Sequence, residues 1–573
     1  METKDNIKKL ITKALEKLDI SGADFAVEYP ENPENGDYST NVAMVYAQKL
    51  RMNPRELAEK IVATILPMQV KEYAMADIKV AGSGFINFYL PRAYFAGSLE
   101  EILNNKNFSK NSLMQGKKVM LEYTDPNPFK PFHIGHLMTN VIGESISRIL
   151  ENSGAEVFRA NYQGDVGMHV ARAIWGLLKN ATLQDKSGTL IEQSINIGKA
   201  YALGADAYET DENSKAEINV INKKVYDRSD AEINSIYDWG FKVTMEAFED
   251  LYKVLGTKFD YYFLESQMAP IGERIVKEHI GKVFSESDGA IVFKAEDYDP
   301  KLHTRVFITS QGLPTYETKE LGLTVEKFAT LPKMDASIVV TALEQADYMR
   351  VVAKALSIIH PEYESKMRHI THGMLRFASG KMSSRKGNVV TGESLIRDVR
   401  ASILERIKER GFSREESEEV ASKVGVAALK YSILKQSIGG DIIYDFDKSI
   451  SFEGDSGPYL QYSYARAYSV LEKAKQENIL PEFSVLPEQT FEVEKLLSRF
   501  HSVVLRASQE GEPHHITNYL IEVARAYNSF YGNNLIADKS DRTAPYKVAL
   551  TFAFTFVLKR GLYLLGIETP EKM

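Results

Sequence analysis

The chain has 573 residues, 44% of them apolar, and its 70 basic and 78 acidic side chains leave a net charge of −8. That length implies about three or four domains, and the charge argues against a histone-like nucleic-acid binder, though not against a local basic face. The absence of cysteine excludes disulfides, thiolate nucleophiles, iron–sulfur clusters and cysteine-ligated zinc, but not a metal carried on substrate phosphates.

Met1–Leu18 sets Lys4, Lys8, Lys9, Lys13 and Lys17 among Ile7, Leu10, Ile11, Leu15 and Leu18. This spacing predicts an amphipathic helix and not a signal peptide. No run of about eighteen apolar residues is available to span a bilayer, so a cytoplasmic protein is expected. Asn53-Pro54 leads into a helix over Arg55–Ile65, and Ala76–Val80 and Gly84–Leu90 read as strands. Residues up to Asn107 therefore form a small mixed domain, followed by a polar link over Asn104–Gly116.

Lys117–Tyr123 predicts a strand ended by Asp125-Pro126-Asn127-Pro128, a helix starts near His136, and Val157–Tyr162 predicts a second strand. Strand, glycine-bearing turn, helix, strand is the opening of a parallel α/β sheet. Thr182–Gly281 is mostly helical in pattern and interrupts that sheet, which is expected to resume at Gly289–Lys294 and Arg305–Ile308, with the β-branched run Ala336–Val340 as the best later strand. From Gly392 onward the pattern is almost wholly helical. The last helix, Thr543–Leu565, is apolar but interrupted by Lys547, Lys559 and Arg560, as in a buried bundle helix.

Two segments carry chemistry. Pro131-Phe132-His133-Ile134-Gly135-His136 sits where a strand gives way to a helix. A helix N-terminus attracts phosphate, two imidazoles could donate to its oxygens, and Gly135 would let a base or ribose approach the backbone. Lys381-Met382-Ser383-Ser384-Arg385-Lys386-Gly387 gathers three cations and two hydroxyls after Ser379-Gly380, a composition suited to a triphosphate or a pyrophosphate leaving group. Alone, the first could be a ligand-free helix start and the second a solvated charge run. Together in one chain they favour an ATP site.

The pair FHIGH and KMSSRKG resembles the two signatures of class I aminoacyl-tRNA synthetases. The whole chain is similar to the arginyl-tRNA synthetase family, through Gly36–Tyr46, Glu122–Leu137, Lys381–Val390, Ser451–Arg466 and Leu564-Leu565-Gly566-Ile567. The resemblance implies an α/β fold with a Rossmann-like parallel-sheet catalytic domain over residues 108–391, including a helical insertion. It implies a small mixed N-terminal tRNA-binding domain over 1–107 and an all-α anticodon-binding bundle over 392–573. The implied activity is ATP-dependent formation of arginyl-adenylate, dependent on bound tRNA, and transfer of arginine to the terminal adenosine of tRNA(Arg). Magnesium is expected on the ATP phosphates, with no protein-bound zinc, no membrane and no obligate protein partner; the family is usually monomeric.

Carried over residue by residue, the resemblance places Pro126, Asn127, His133, Gly135, His136, Lys381, Met382, Ser383 and Ser384 around ATP. His133 and His136 would stabilise the phosphates, and Lys381 and Lys386 the departing pyrophosphate. Glu122, Asn127, Tyr316, Glu320 and Gln345 would meet arginine, whose guanidinium needs planar acceptors. Tyr459, Gln461, Tyr462 and Arg466 fall in the bundle motif, where packing and base stacking are both open. The chain departs from the family at Ser384, where the generic loop has a second lysine; Lys130 or Lys386 is expected to supply that charge. Glu320 replaces the usual aspartate, Glu344-Gln345 lies in an atypical stretch, and Asp125 and Phe129 are unusual neighbours of the first signature. A small nucleotidyltransferase would be much shorter; among synthetases for other amino acids cysteine and glutamate are the nearest choices, and a cysteinyl enzyme would need cysteine to bind zinc; a silent paralogue that binds RNA or a protein partner would not need His133, His136 and Lys381.

Overall fold

The computed structural model describes residues 2–22, 24–30, 32–68, 75–378 and 390–573. They fall into two compact units: Met1–Ser109 with Arg466–Val504 and Glu522–Leu558, and Lys110–Ala465 with Leu505–Ile521 and Lys559–Met573.

The first unit holds the predicted N-terminal helix, α1 (Glu2–Lys17). Ile7, Leu10, Ile11, Ala14 and Leu15 are buried and the lysines face outward, as a 3.6-residue period requires. Strands β1 (Val27–Glu28), β2 (Tyr38–Thr40), β3 (Asp77–Ala81) and β4 (Phe85–Tyr89) form an antiparallel sheet in the order β1-β2-β4-β3. Helices α2 (Val42–Leu50) and α3 (Pro54–Ile65) share its core. Asn53 caps α3 by accepting from the Arg55 amide, with Pro54 preset for the first turn. Helix α4 (Arg92–Asn104) precedes the polar link. Within this unit Arg92 forks onto Glu494, at 2.7 and 3.3 Å.

The second unit is organised on a five-stranded sheet. Its first strand, β5 (Lys118–Glu122), is followed by α5 (Ile134–Asn152) and β6 (Glu156–Gln163). The chain then makes four helices, α6 (Met168–Lys179), α7 (Leu190–Thr210), α8 (Glu212–Asp227) and α9 (Ala231–Leu255), and returns as β7 (Tyr261–Leu264) and α10 (Glu265–Glu278). Strands β8 (Ser285–Ser287), β9 (Ala290–Phe293) and β10 (Arg305–Ile308) come next, then α11 (Tyr316–Thr330), β11 (Ala336–Ala342), α12 (Ala346–Ile359) and β12 (Met367–His372). The sheet order is β12-β11-β5-β6-β7, with every neighbouring pair parallel.

This corrects one expectation. The strands predicted to resume the sheet, β9 and β10, pair with β8 in a separate antiparallel sheet. The places they were expected to fill belong to β7 and β12. β7 is only four residues long inside a helical pattern, and β12 is an edge strand of mixed polarity, MRHITH. β7, although apolar, is too short to stand out from the helices around it, and β12 lacks the apolar run that marks a strand buried on both faces, as β11 does.

The chain leaves β5 toward β6 on one side, while β11 lies on the other. The strand order therefore reverses at β5, and the crevice beyond the carboxyl ends of β5 and β11 is where open α/β sheets bind ligands. Beyond residue 390 the chain is helical, except that β13 (Leu375–Phe377) pairs in parallel with β14 (Ile442–Tyr444). Helices α13 (Gly392–Ile407) and α14 (Arg414–Leu434) pack together. No described helix is long and apolar enough to cross a membrane.

Candidate functional site

The loop from β5 to α5 is strained and firmly held. Thr124, Asp125 and Phe129 have φ of 83°, 48° and 67°, a left-handed backbone that costs about 1–3 kcal/mol at each non-glycine residue. The Thr124 hydroxyl accepts from the Asn140 amide at 3.0 Å, and Asp125 Oδ1 accepts from the Tyr162 N–H at 2.8 Å. The Phe129 N–H donates to Thr244 Oγ1 at 3.4 Å, and its ring fills the space where a Cβ on Gly240 would be 2.3 Å away. Asp125 and Phe129, odd as neighbours of the first signature, are thus anchors of the loop. Asn127 Oδ1 accepts from the Gly164 N–H at 3.2 Å, an approach only glycine permits, since a Cβ there would lie 2.4 Å from that oxygen.

That loop delivers the histidine pair to the first turn of α5. His133 is the N-cap: its Nδ1 accepts from the His136 N–H at 3.3 Å, while the His133 N–H donates to His136 Nδ1 at 3.2 Å. The rings stack, with centroids 3.3 Å apart. Both Nδ1 atoms are acceptors, so each neutral ring carries its proton on Nε2. Burial, then the Lys130 charge, pushes His133 down to about 4. Burial, His133 and Lys130 push His136 well below its usual value. At neutral pH the site therefore offers two uncharged N–H donors at a helix N-terminus. Gly135 has a local reason as well: a Cβ there would meet the His133 ring at 2.9 Å.

Lys130 lies beside this pair. Its ammonium sits 5.5 Å over the Tyr201 ring, and burial and Arg172 lower its pKa. His169, not singled out in the sequence, is also here. Its Nε2 bonds the Gly164 carbonyl at 2.7 Å, and burial and then Lys130 push it down to about 3.

The other end of the crevice is acidic. Glu122, last residue of β5, is 3% exposed and ion-paired with the fully buried Lys327 of α11. Glu320, two helical turns before Lys327 on the same helix, is buried, and its Oε1 has no hydrogen-bond partner among the described residues. Burial, then Glu122, pushes Glu320 up to about 7, with Lys327 opposing. Burial and Glu122 also hold the Asp125 carboxyl well above the usual range. Against the effect of burial, Glu122 and Glu320 hold the Lys327 ammonium above its ordinary value. Tyr162 and Tyr348 lie within the field of these carboxyls. Both phenols are raised by burial and then by the surrounding carboxylates, and the Tyr162 hydroxyl has no partner among the described residues. Glu265 pairs with Lys319 at 2.8 Å alongside.

Three comparisons with known proteins bear on this site. The family model for class I tRNA synthetases (R), catalytic domain, matches residues 98–446; that for the arginyl tRNA synthetase N terminal domain matches 5–90, and that for the DALR anticodon binding domain matches 460–573. An arginine–tRNA ligase of Clostridium botulinum is 31% identical over 578 residues, covering 100% of both chains, and one of Clostridium perfringens is 30% identical over 585 residues, covering 99% of this chain and 100% of its own. The chain belongs to the arginyl-tRNA synthetase family. Among solved structures it resembles Thermus thermophilus arginyl-tRNA synthetase, with a TM-score of 0.77 and 23% identity over 100% of both chains, a likeness of fold. This family ligates arginine to tRNA(Arg) using ATP.

Against this family background the predicted residues sort by place. Pro126, Asn127, Lys130, His133, Gly135 and His136 come together around the start of α5, and Glu122 and Glu320 meet in the acidic pocket. Tyr316, at the outer end of α11, is 70% exposed, with Lys319 Nζ 5.2 Å over its ring. Gln345 is exposed in the short turn after β11, whereas Tyr348, three residues on, is buried enough to feel the charge of Glu320 and Glu122. Lys381, Met382, Ser383, Ser384 and Lys386 lie outside the described residues. In the helix Gly457–Gln476, Gln461 is fully buried and its amide donates to the Lys423 and Glu568 carbonyls at 3.3 and 2.7 Å. Tyr462 stands edge-on to Phe452 under the Arg410 guanidinium, and Arg466 donates to Asn528 Oδ1 at 2.9 Å. Tyr459 is half-buried. Among the described residues no group of three or more His, Asp or Glu side chains is placed to hold a metal ion.

Proposed function

We propose that the chain activates arginine as arginyl-adenylate and transfers it to the terminal adenosine of tRNA(Arg), with the two ends of the crevice dividing the work. The arginine carboxylate attacks the α-phosphorus of ATP, the bond to the bridging oxygen breaks, and pyrophosphate leaves. A ribose hydroxyl of the tRNA then attacks the activated carbonyl and AMP departs. His133 and His136 donate Nε2–H to phosphate oxygens where charge builds, aided by the helix N-terminus and Lys130. Lys381 and Lys386, with Met382, Ser383 and Ser384, keep by resemblance the pyrophosphate side. Glu122 and Glu320 accept the guanidinium, Asn127 faces the amino-acid end, and Tyr316 and Gln345 stand at the rim.

Magnesium enters on the ATP phosphates; the phosphate end, built of N–H donors and a lysine, fits a metal held by the nucleotide and not by protein carboxylates. Residues 1–107, 108–391 and 392–573 divide into tRNA-touching, catalytic and anticodon-binding parts, and Tyr459, Gln461, Tyr462 and Arg466 shape the last. A cytoplasmic monomer without an obligate partner completes the reading.

The observation that carries it is the pairing of an acidic, buried pocket with a donor-bearing helix start at one sheet switch point. ATP–pyrophosphate exchange measured with each amino acid, with and without tRNA, tests it: exchange is expected only with arginine and only with tRNA. Exchange driven by another amino acid and not by arginine overturns it.

A further inference from the structure

The acidic pocket contains a cation that the proposed reaction does not use. Lys327 is 0% exposed, deep on α11, and its ammonium is committed to Glu122. Glu122, Asp125 and Glu320 stand within electrostatic reach of it and of one another. The remaining groups facing them are Tyr162 from β6, Glu265 from α10, Tyr348 from α12 and His369 from β12. His369 is held neutral, pushed down to about 4 by burial and then by Lys327. Lys327 is therefore the ammonium that faces Glu122, Asp125 and Glu320, while the fourth carboxyl, Glu265, has its own partner in Lys319.

Carboxyls crowded into a low-dielectric site relieve their repulsion by binding protons. A protonated carboxyl gives up the charge-assisted, two-pronged contact that a guanidinium seeks. The pocket avoids this by pairing one carboxyl internally: Lys327 engages Glu122 through Oε2, and Glu320 beside it, with Oε1 unpartnered among the described residues, is open to share an incoming guanidinium with Glu122.

Building on the reading that Glu122 and Glu320 receive arginine, we propose that Lys327 is a positioning residue for arginine selection. Its ammonium fixes Glu122 and supplies the counter-charge that lets Glu320 ionise in the same pocket. Lys327 does not touch the reacting atoms; it acts through the two carboxylates.

The test is the pH profile of KM for arginine, from ATP–pyrophosphate exchange with tRNA bound and ATP saturating. Glu320 is pushed up to about 7, and arginine requires its ionised form. In the wild-type enzyme KM should therefore fall about tenfold per pH unit on rising toward 7 and then level off. In Lys327→Met the levelling point should move up by about one unit, raising KM about threefold near pH 7.5 and close to tenfold near pH 6, with a smaller change in kcat. Lys327→Arg, which keeps the charge, should restore the wild-type profile. Lys327→Gln serves as a second neutral variant should the methionine form not fold. Glu320→Gln should be flat with pH. A neutral variant whose KM levels at the wild-type pH overturns the role of Lys327 alone. A wild-type enzyme indifferent to arginine, or a Glu320→Gln enzyme with an unchanged profile, overturns the reading of the pocket beneath it.

Discussion

The histidine end of the crevice, proposed for phosphate, and its acidic end, proposed for the guanidinium, are built in opposite ways. Among the described residues, the first comes from one stretch of chain, Pro126–His136, whose two histidines cap each other three residues apart, while Asn127 and Phe129 are tied to Gly164 and Thr244 farther along the chain. It presents neutral donors. The acidic end is assembled from β5, β6, α11 and α12 and presents buried carboxyls with one internal cation. A site made of one stretch can be recognised as a motif; a site made of four elements exists only after folding. The chemistry differs in the same direction, because donors to a phosphoryl group act on the rate of bond breaking, whereas partners of a remote side chain act on binding.

Separating rate from binding is the way to break that comparison. His136→Ala should have the largest effect. It removes a donor and half of the reciprocal cap, and exchange should slow by about 10²–10³-fold with arginine KM little changed. Steady-state exchange at several arginine concentrations reads both quantities; a variant that raised KM and kept kcat would put His136 on the binding side. Glu320→Gln should do the reverse. Loss of a buried ionic partner should raise arginine KM by about 10–100-fold, or roughly 1.4–2.8 kcal/mol, with kcat largely kept. If kcat fell with KM unmoved, the division of labour would be wrong.

Lys130→Ala sharpens the phosphate end. Lys130 is the described cation whose field reaches both His133 and His136, and Ser384 leaves the second signature without its usual lysine. Adenylation should slow by about tenfold or more, the scale of one to two kcal/mol from a partly buried charge, while tRNA affinity changes less. Single-turnover adenylate formation beside a tRNA binding titration would show it. An unchanged adenylation rate would assign the compensating charge to Lys386.

What the sequence made legible follows this same division. The helix start at α5, the strand β5 and the two histidines were all readable, because capping and period are local. Their tautomer was not, since it depends on which ring nitrogen meets the backbone. Nor was the strain at Thr124, Asp125 and Phe129, whose anchors Tyr162, Asn140 and Thr244 are distant in the chain. Glu122 and Glu320 were reached by resemblance, and nothing local marks them. Nothing local marks Lys327 either, since its partner, Glu122, comes from β5, far away in the chain. The parallel sheet was foreseen through its two central strands and β11, and the misplacement of β9 and β10 reflects the fact that apolar alternation does not say which sheet a strand joins.

The smallest expected effect probes the rim of the acidic pocket. Gln345 is exposed in the turn after β11, while Tyr348, one turn along α12, has its phenol raised by burial and by Glu320 and Glu122. A neutral hydroxyl among carboxyls adds about 0.5–1.5 kcal/mol when it bonds one of them. Tyr348→Phe should therefore raise arginine KM only a few-fold, and Gln345→Ala by less, with neither altering kcat. Measured side by side with Glu320→Gln, the series places the binding energy inside the pocket and not in the turn. A Gln345→Ala enzyme more impaired than Tyr348→Phe would reverse that order and move the arginine contact out to the end of β11.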